Sequence, residues 1–431
     1  MISTRLAAFL QARGVHYGWI VIAITFLIML ATAGAMGASG VILEPLQHEF
    51  GWSNADISVA LAVRLMLFGL MGPFAAAFIN RFGVRPVVIF AVGLIALGIV
   101  GTMLMTAVWH LLLFWGIIVG LGTGMTALVL GATVASRWFT ERRGLVMGLL
   151  TASNATGQLV FLPLLATITQ HWGWRAALGF VVAMLLVALG FVFAFMRDRP
   201  ADVGLPAFGE RVLAKPPAAA QPASIKTMLL SPLVALREAR GNRVFWILAG
   251  TFFICGLSTN GLIQTHWITL CGDYGVDPVS AAGVLAVIGV FDFFGTIFSG
   301  WLSDRYDNRW LLFFYYGLRG LSLIYLPYTE FSVISLSFFG VFYGLDWVAT
   351  VPPTVRISAD AFGPEKANLT FGWIFAAHQL GAACAAFGAG VARTNFSSYV
   401  PALYVAGAAC LVASALVVTL AAPGKRKAAL A

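Results

Sequence analysis

The chain has 431 residues, of which 60% are hydrophobic and only 10% charged. A soluble domain carries about a quarter charged residues to meet water, so soluble enzymes, soluble nucleic-acid binders and disordered scaffolds are excluded as classes. Lipid is the solvent for most of this surface, and the net charge of +9 has to be read against membrane topology.

A membrane helix needs about 20 mostly apolar residues, and twelve such runs follow one another along the chain. The first six cover 18–43, 54–79, 86–109, 111–135, 144–168 and 174–195. The second six cover 244–270, 280–302, 310–326, 332–355, 369–392 and 399–421. Backbone polar groups cannot stay unpaired in lipid, so these runs are expected to be helices. The short alternating strands of a membrane barrel are absent from the pattern. The first run is too long for a signal-peptide core and lacks a small-residue cleavage site, so it reads as a retained helix.

Placing the N-terminus inside puts nearly all of the 26 Arg and Lys on one side. Only Arg175 and Arg393 then fall in loops on the other side, and only Arg64 and Arg319 fall within spans. By the positive-inside rule both termini are expected to be cytoplasmic. The positive charge is spread over the inner membrane face rather than gathered into one groove, which argues against nucleic acid as a partner. Cys255, Cys271, Cys384 and Cys410 lie far apart with no metal-ligand spacing, so neither a metal site nor a disulfide framework is expected. No cofactor is expected.

The longest polar stretch runs from 197 to 243 and holds the Pro-rich segment 215–222. It divides the chain into an N-terminal six-helix bundle (1–196), a cytoplasmic linker (197–243) and a C-terminal six-helix bundle (244–431). One short surface helix is expected near 231–239. Each half carries a related loop between its second and third span. The first comprises Gly72, Asn80, Arg81, Gly83 and Arg85; the second comprises Gly300, Asp304, Arg305 and Arg309. Arg81 and Arg305 stand 224 residues apart, about half the chain, so this is an internal repeat. Repeats of this kind build many transporters. Short basic turns can pin helix ends and act as a gating element.

With this duplicated loop the chain resembles the major facilitator superfamily over all twelve spans. It departs from the family pattern at Asn80, where the family usually has Asp. Finer features resemble the bacterial branch near monocarboxylate transporters and oxalate:formate antiporters. They are Tyr17-Gly18-Trp19, Glu49-Phe50-Gly51-Trp52-Ser53, the run Trp138–Gly144 and Gly173-Trp174-Arg175. The resemblance implies an all-α membrane fold in which the first, fourth, seventh and tenth helices line a central cavity.

Ionisable side chains in a membrane interior cost several kcal/mol and persist when paired or facing water. Arg64, Asp292, Arg319, Asp346 and His378 lie inside spans, and His266 lies near an outer end. Asp292, Arg319, Asp346 and His378 are the proton-coupling candidates, with Arg319 expected to tie itself to Asp346 or Asp292. Asp292, Thr296 and Ser299 share one helix face. The monocarboxylate transporters resemble this with an Asp four residues before an Arg; Asp292 matches the Asp, but Thr296 stands at the Arg position. The missing cation is sought in Arg64, whose planar fork fits a carboxylate. Asn154, Gln158, Asn260, Gln264, Tyr343 and His378 complete the candidate substrate-binding set. His266 is expected to line the outer entrance, and Pro352-Pro353 to break the tenth helix near its inner end.

No Gly-x4-Gly-Lys-Ser/Thr loop occurs, so ATP is not the expected driver. The reading is therefore a multi-pass transporter, not an enzyme, in a bacterial inner membrane. It is expected to act as a monomer and to carry a small organic anion of the monocarboxylate kind with protons. A drug/proton antiporter and a neutral-solute carrier are the alternatives. A membrane metabolite sensor that transports nothing is a further one.

Overall fold

The computed structural model describes residues 2–126, 128–210, 225–303 and 305–421. Among these the chain is helical throughout, with no strand beyond an isolated β-bridge between Phe139 and Phe208. The short α1 (Ile2–Gln11) precedes α2 (Gly18–Phe50), α3 (Asn54–Phe82), α4 (Val84–Met103) and α5 (Val108–Trp138). Then come α6 (Arg143–Trp172), α7 (Trp174–Phe195) and the linker helix α8 (Ile225–Ala239). After the linker follow α9 (Arg243–Gly272), α10 (Pro278–Ser303), α11 (Asn308–Tyr325), α12 (Val333–Asp346), α13 (Val351–Phe362), α14 (Pro364–Phe396) and α15 (Val400–Val418). The Pro-rich 215–222 and Asp304 lie outside the described residues.

Ten helical runs among the described residues are long and apolar enough to cross a membrane, with α12 and α13 counted as one run. The helices α6 and α11 pack in the same bundle. Polar caps fix the helix starts. The Ser53 hydroxyl accepts from Asp56 N–H while the Asp56 carboxylate accepts from Ser53 N–H, satisfying two orphan donors reciprocally. Asn242, Asp307 and Ser332 cap α9, α11 and α12 in the same way from one side chain each.

Two boundaries differ from the hydropathy reading. The third span was expected to run to 109, but α4 stops at Met103, and Trp109 belongs to α5. Residues 104–107 form a turn inside a continuous apolar stretch, so polarity gives no sign of it. The tenth span, expected over 332–355 with a break at Pro352-Pro353, is broken earlier. It unwinds at 347–350 and resumes as α13, which runs to Phe362. The prolines sit in the first turn of the second piece, where a missing N–H costs nothing.

Close packing runs through small residues, as expected where lipid supplies no hydrophobic drive between helices. The helix α14 lies against α3 on one side and α9 on the other, and α10 packs against both α6 and α12. Gly381 meets the backbone of Phe253, Gly256 that of His378, and Gly295 that of Leu345. At the end away from the linker, Gly40 of α2 rests on the Gln264 carbonyl of α9, and Ala55 N–H donates to Thr394 Oγ1 at 3.2 Å. Helices from before and after the linker therefore touch at that end.

A side chain at such a crossing has nowhere to go. Gly381→Ala is expected to destabilise by about 1–3 kcal/mol, seen as a lowered Tm in detergent. Gly388→Ala, with no atom within 4 Å of the new methyl, is expected to leave Tm unchanged.

Candidate functional site

The break between α12 and α13 frees backbone groups inside the bundle, and three side chains from two other helices take them up. Asp292 of α10 accepts from Val348 N–H at 2.9 Å. Arg319 of α11 donates to the carbonyls of Asp346 and Trp347. Ser299 Oγ donates to the Ala349 carbonyl at 2.5 Å. Arg319 is 1% exposed. It also donates from Nε to Asp346 Oδ2 at 2.6 Å and from Nη1 to Cys255 Sγ at 2.9 Å. The expected choice between Asp346 and Asp292 thus falls on Asp346. Asp292 keeps only neutral donors, Val348 N–H and Thr296 Oγ1 at 3.0 Å, and no ion pair among the described residues.

Arg64 lies before the linker and is 3% exposed. Its Nη1 donates to the Met36 carbonyl at 3.0 Å and its Nη2 to Ser39 Oγ at 3.2 Å, both on α2. Trp115 of α5 stands 5.8 Å from the guanidinium. Its Nε has no hydrogen-bond partner among the described residues, and none of the ion pairs there includes Arg64. The sequence left it without visible partners because two of its acceptors sit on another helix and one is a backbone carbonyl. The guanidinium is held inside rather than reaching for the interface.

His378 of α14 is 8% exposed and packs against the rings of Phe252 and Phe375, with Nδ1 unpartnered among the described residues. Gln264 is buried with Oε1 unpartnered, and Asn260 Oδ1 accepts from Thr259 Oγ1 at 3.1 Å. Tyr343 OH donates to the Ser258 carbonyl at 2.8 Å, tying α12 to α9. The side chains of Asn154, Gln158 and Asn80 lie outside the described part of the structure.

One expectation is overturned. His266 does not line an entrance: it is 1% exposed, with Nε2 at 2.8 Å from the Ala386 carbonyl and Nδ1 at 3.2 Å from Tyr399 OH. A lone histidine near a helix end is satisfied by two neighbouring helices that the sequence does not show adjacent. Cys255 was read as simple packing, yet it accepts from Arg319 and lies 3.3 Å from Thr350 Oγ1. No local signal marked it.

The repeated loops make matching contacts. Arg85 Nη2 donates to the Phe193 carbonyl at the end of α7, and Arg309 Nη1 donates to the Leu420 carbonyl just past α15. A cation on free terminal carbonyls is favourable at a helix C-terminus. In the first copy Asp198 accepts from Arg85 N–H at 2.7 Å. Gly83 has φ +91° and leaves room for that carboxylate, which a Cβ would strike. Asp198 therefore brings an acid to a loop where Asn80 replaces one. In the second copy Asp307 pairs with Arg309 at 2.6 Å, and Arg305 lies over Trp301. The glycines Gly72 and Gly300 have open space around them, and Arg81 lies over Phe82.

Removing one partner of a buried pair strands the other. Asp346→Ala is expected to cost about 3–5 kcal/mol, with loss of folded protein on size exclusion. The double variant Arg319→Met/Asp346→Leu is expected to recover much of the yield. Equal loss in both would show that the pair is not the origin of the effect.

The Major Facilitator Superfamily model matches residues 24–351 and 272–430. Monocarboxylate transporter 13 of Bos taurus is 27% identical over 409 residues, covering 94% of this chain and 89% of its own. An uncharacterized transporter of the same superfamily, YcxA of Bacillus subtilis (strain 168), is 24% identical over 388 residues, covering 86% and 88%. Among solved structures, an inward-facing, unoccupied bacterial homolog of the human lysosomal transporter Spinster superposes with a TM-score of 0.70. It is 16% identical and covers 94% of this chain and 98% of its own. A D-xylose-proton symporter gives a TM-score of 0.70 at 14% identity, covering 93% and 97%. The chain belongs to the major facilitator superfamily, as a transporter, not an enzyme, resembling the monocarboxylate transporters.

Proposed function

We propose that this chain is a secondary active transporter of a small organic anion of the monocarboxylate kind, working by alternating access coupled to protons. The observation that carries the reading is Arg64, a buried guanidinium with no carboxylate beside it and one donor idle. A substrate carboxylate offers it two charged acceptors in place of neutral ones, and charge-assisted hydrogen bonds are roughly twice as strong. The relatives named as monocarboxylate transporters support the same substrate class.

Asp292 is the proton carrier in this reading. It is a buried carboxylate without a cation, bonded to the loose end of a broken helix. Protonation removes charge from the acceptor of Val348 N–H and weakens that bond, which frees α13 to move against α12. Arg319 and Asp346 hold the same break from the other side and keep it in place through the cycle. His378, Gln264 and Asn260 would complete the site, and Asn154 and Gln158 of the α6 sequence remain candidates for it. The chain then crosses a bacterial inner membrane twelve times as two six-helix halves, 1–196 and 244–431, with both termini and the linker cytoplasmic, and acts as a monomer.

The test is uptake of labelled monocarboxylates into proteoliposomes with and without an inward proton gradient. Saturable, gradient-stimulated uptake is expected. Arg64→Lys is expected to raise KM at least about tenfold, or about 1.4 kcal/mol; wild-type KM would remove Arg64 from the site. Asp292→Asn is expected to abolish stimulation by the gradient while sparing substrate counterflow. No carboxylate flux under any condition would return drug efflux or neutral-solute transport to the front.

A further inference from the structure

The linker helix α8 carries a feature that transport chemistry does not use. Pro232 and Ala239 are buried against the bundle, and the Pro232 carbonyl accepts from Trp373 Nε1 at 2.8 Å. Trp373 belongs to the outer stripe of α14. Along that helix Leu369, Trp373, Ala377, Leu380 and Cys384 recur at helical spacing, and Leu369 and Cys384 are exposed. The opposite side of α14 faces α3 and α9 through residues such as Gln379 and Gly381. A helix held on the outer stripe lies on the flank of the bundle rather than under its centre, and α8 touches α3 as well as α14.

The other side of α8 is apolar and uncovered. Leu229, Leu230, Leu233 and Val234 are 37%, 42%, 44% and 53% exposed. They share one face at i, i+1, i+4 and i+5. Arg237 stands on the same side one turn further, and Arg240 follows at the end of the helix; both are exposed. Trp246, 60% exposed in the first turn of α9, donates from Nε1 to the Arg240 carbonyl at 2.7 Å. A lipid-facing Trp at a helix end marks headgroup level, so Arg240 stands at that level too. Between α8 and the ends of α13 and α14 runs a groove of about 400 Å³ lined by Val234, Phe362 and Leu369 together with the polar Ser231, Glu238 and Thr370. Glu238 lies on this groove side of α8, away from Arg237.

We propose that α8 is an interfacial helix whose partner is anionic phospholipid of the leaflet on the linker side. Leu229, Leu230, Leu233 and Val234 sit in the acyl boundary, and Arg237 and Arg240 reach the lipid phosphates. The chemistry is that of a surface-lying amphipathic helix: buried apolar area plus attraction to anionic headgroups, to which each basic side chain near such a surface adds. The long Arg237 stem can lie along the acyl region while its head reaches the phosphate. Because α8 touches α3 and α14, on opposite sides of the linker in sequence, its seating in the leaflet bears on how those two helices move. That last consequence rests on the transport reading; the lipid contact does not.

The experiment uses the full-length protein with Cys384→Ser, which removes the exposed thiol, and Leu233→Cys carrying an environment-sensitive fluorophore. It is reconstituted in vesicles of phosphatidylcholine containing spin-labelled phosphatidylcholine or spin-labelled phosphatidylglycerol. Aqueous iodide is the opposing quencher. Expected are strong quenching by the spin-labelled lipids, weak quenching by iodide and a severalfold preference for phosphatidylglycerol. Arg237→Gln/Arg240→Gln is expected to bring that preference to unity while leaving the shielding from iodide. A fluorophore at 233 quenched by iodide as fully as one at exposed Ser231, on another face of α8, would overturn the interfacial placement. Equal quenching by both lipids in the unsubstituted arginine background would overturn the anionic partner. None of these readings needs transport, so failure of the transport proposal and failure of this one are told apart.

Discussion

A helix that unwinds inside a membrane bundle must have its freed backbone groups taken up by protein, because lipid offers no partners. Much else in the second half of this chain follows from that constraint at residues 347–350. Val348 N–H goes to Asp292, the Asp346 and Trp347 carbonyls to Arg319, and the Ala349 carbonyl to Ser299. Two helices, α10 with two polar side chains and α11 with one, thus commit to one break in a third. Arg319 needs a counter-charge to exist there at all, and Asp346 supplies it from the last residue before the break. The prolines at 352 and 353 keep the two pieces from fusing, since neither can donate to the preceding turn.

The same economy of termini explains the repeated loop. In each copy the last arginine lies on a carbonyl at the far end of the sixth helix of its half, Phe193 in one and Leu420 in the other. The copies differ in where the acid comes from. Asp307 lies within the second loop, whereas Asp198 reaches the first from beyond α7. A loop that borrows its acid is tied to the segment leading into the linker. That segment is itself fastened, through Phe208, to the backbone of Trp138 and Thr140. The first copy of the loop, the end of α5 and the segment after α7 are therefore joined on one side of the bundle.

What the sequence made legible follows from which physics is local. Helical type comes from apolar length, which each segment carries alone. The turn at 104–107 does not, because it is cut into a run that is apolar on both sides. The break in the tenth span was half visible: prolines announced it, but its position four residues earlier depends on Asp292 and Arg319 from other helices. Charges in lipid announce themselves, so Arg64, Asp292, Arg319 and Asp346 could be picked out by type. Their pairing is legible only in part: the sequence narrows Arg319 to Asp346 or Asp292, and Asp346 takes it. Arg64 found a backbone carbonyl and a serine on α2, groups that no pattern marks. His266 was misplaced for the same reason: its two partners come from α14 and the start of α15.

Pairing also separates the charges that hold the fold from those that can change partners. Arg319 has Nε, Nη1 and Nη2 committed, and lifting it from Asp346 would leave a buried carboxylate bare, a cost of about 3–5 kcal/mol. No incoming anion or proton easily offsets that. Arg64 gives up only a carbonyl and a hydroxyl, acceptors whose bonds to a charged donor are worth about 1.5–3 kcal/mol each, and it has Nε in reserve. Asp292 likewise holds only a backbone N–H and a hydroxyl. On the proposed reading, a carboxylate at the first and a proton at the second would compete against bonds that involve no opposite charge. Such competition is what a site must allow if it is to fill and empty in every cycle.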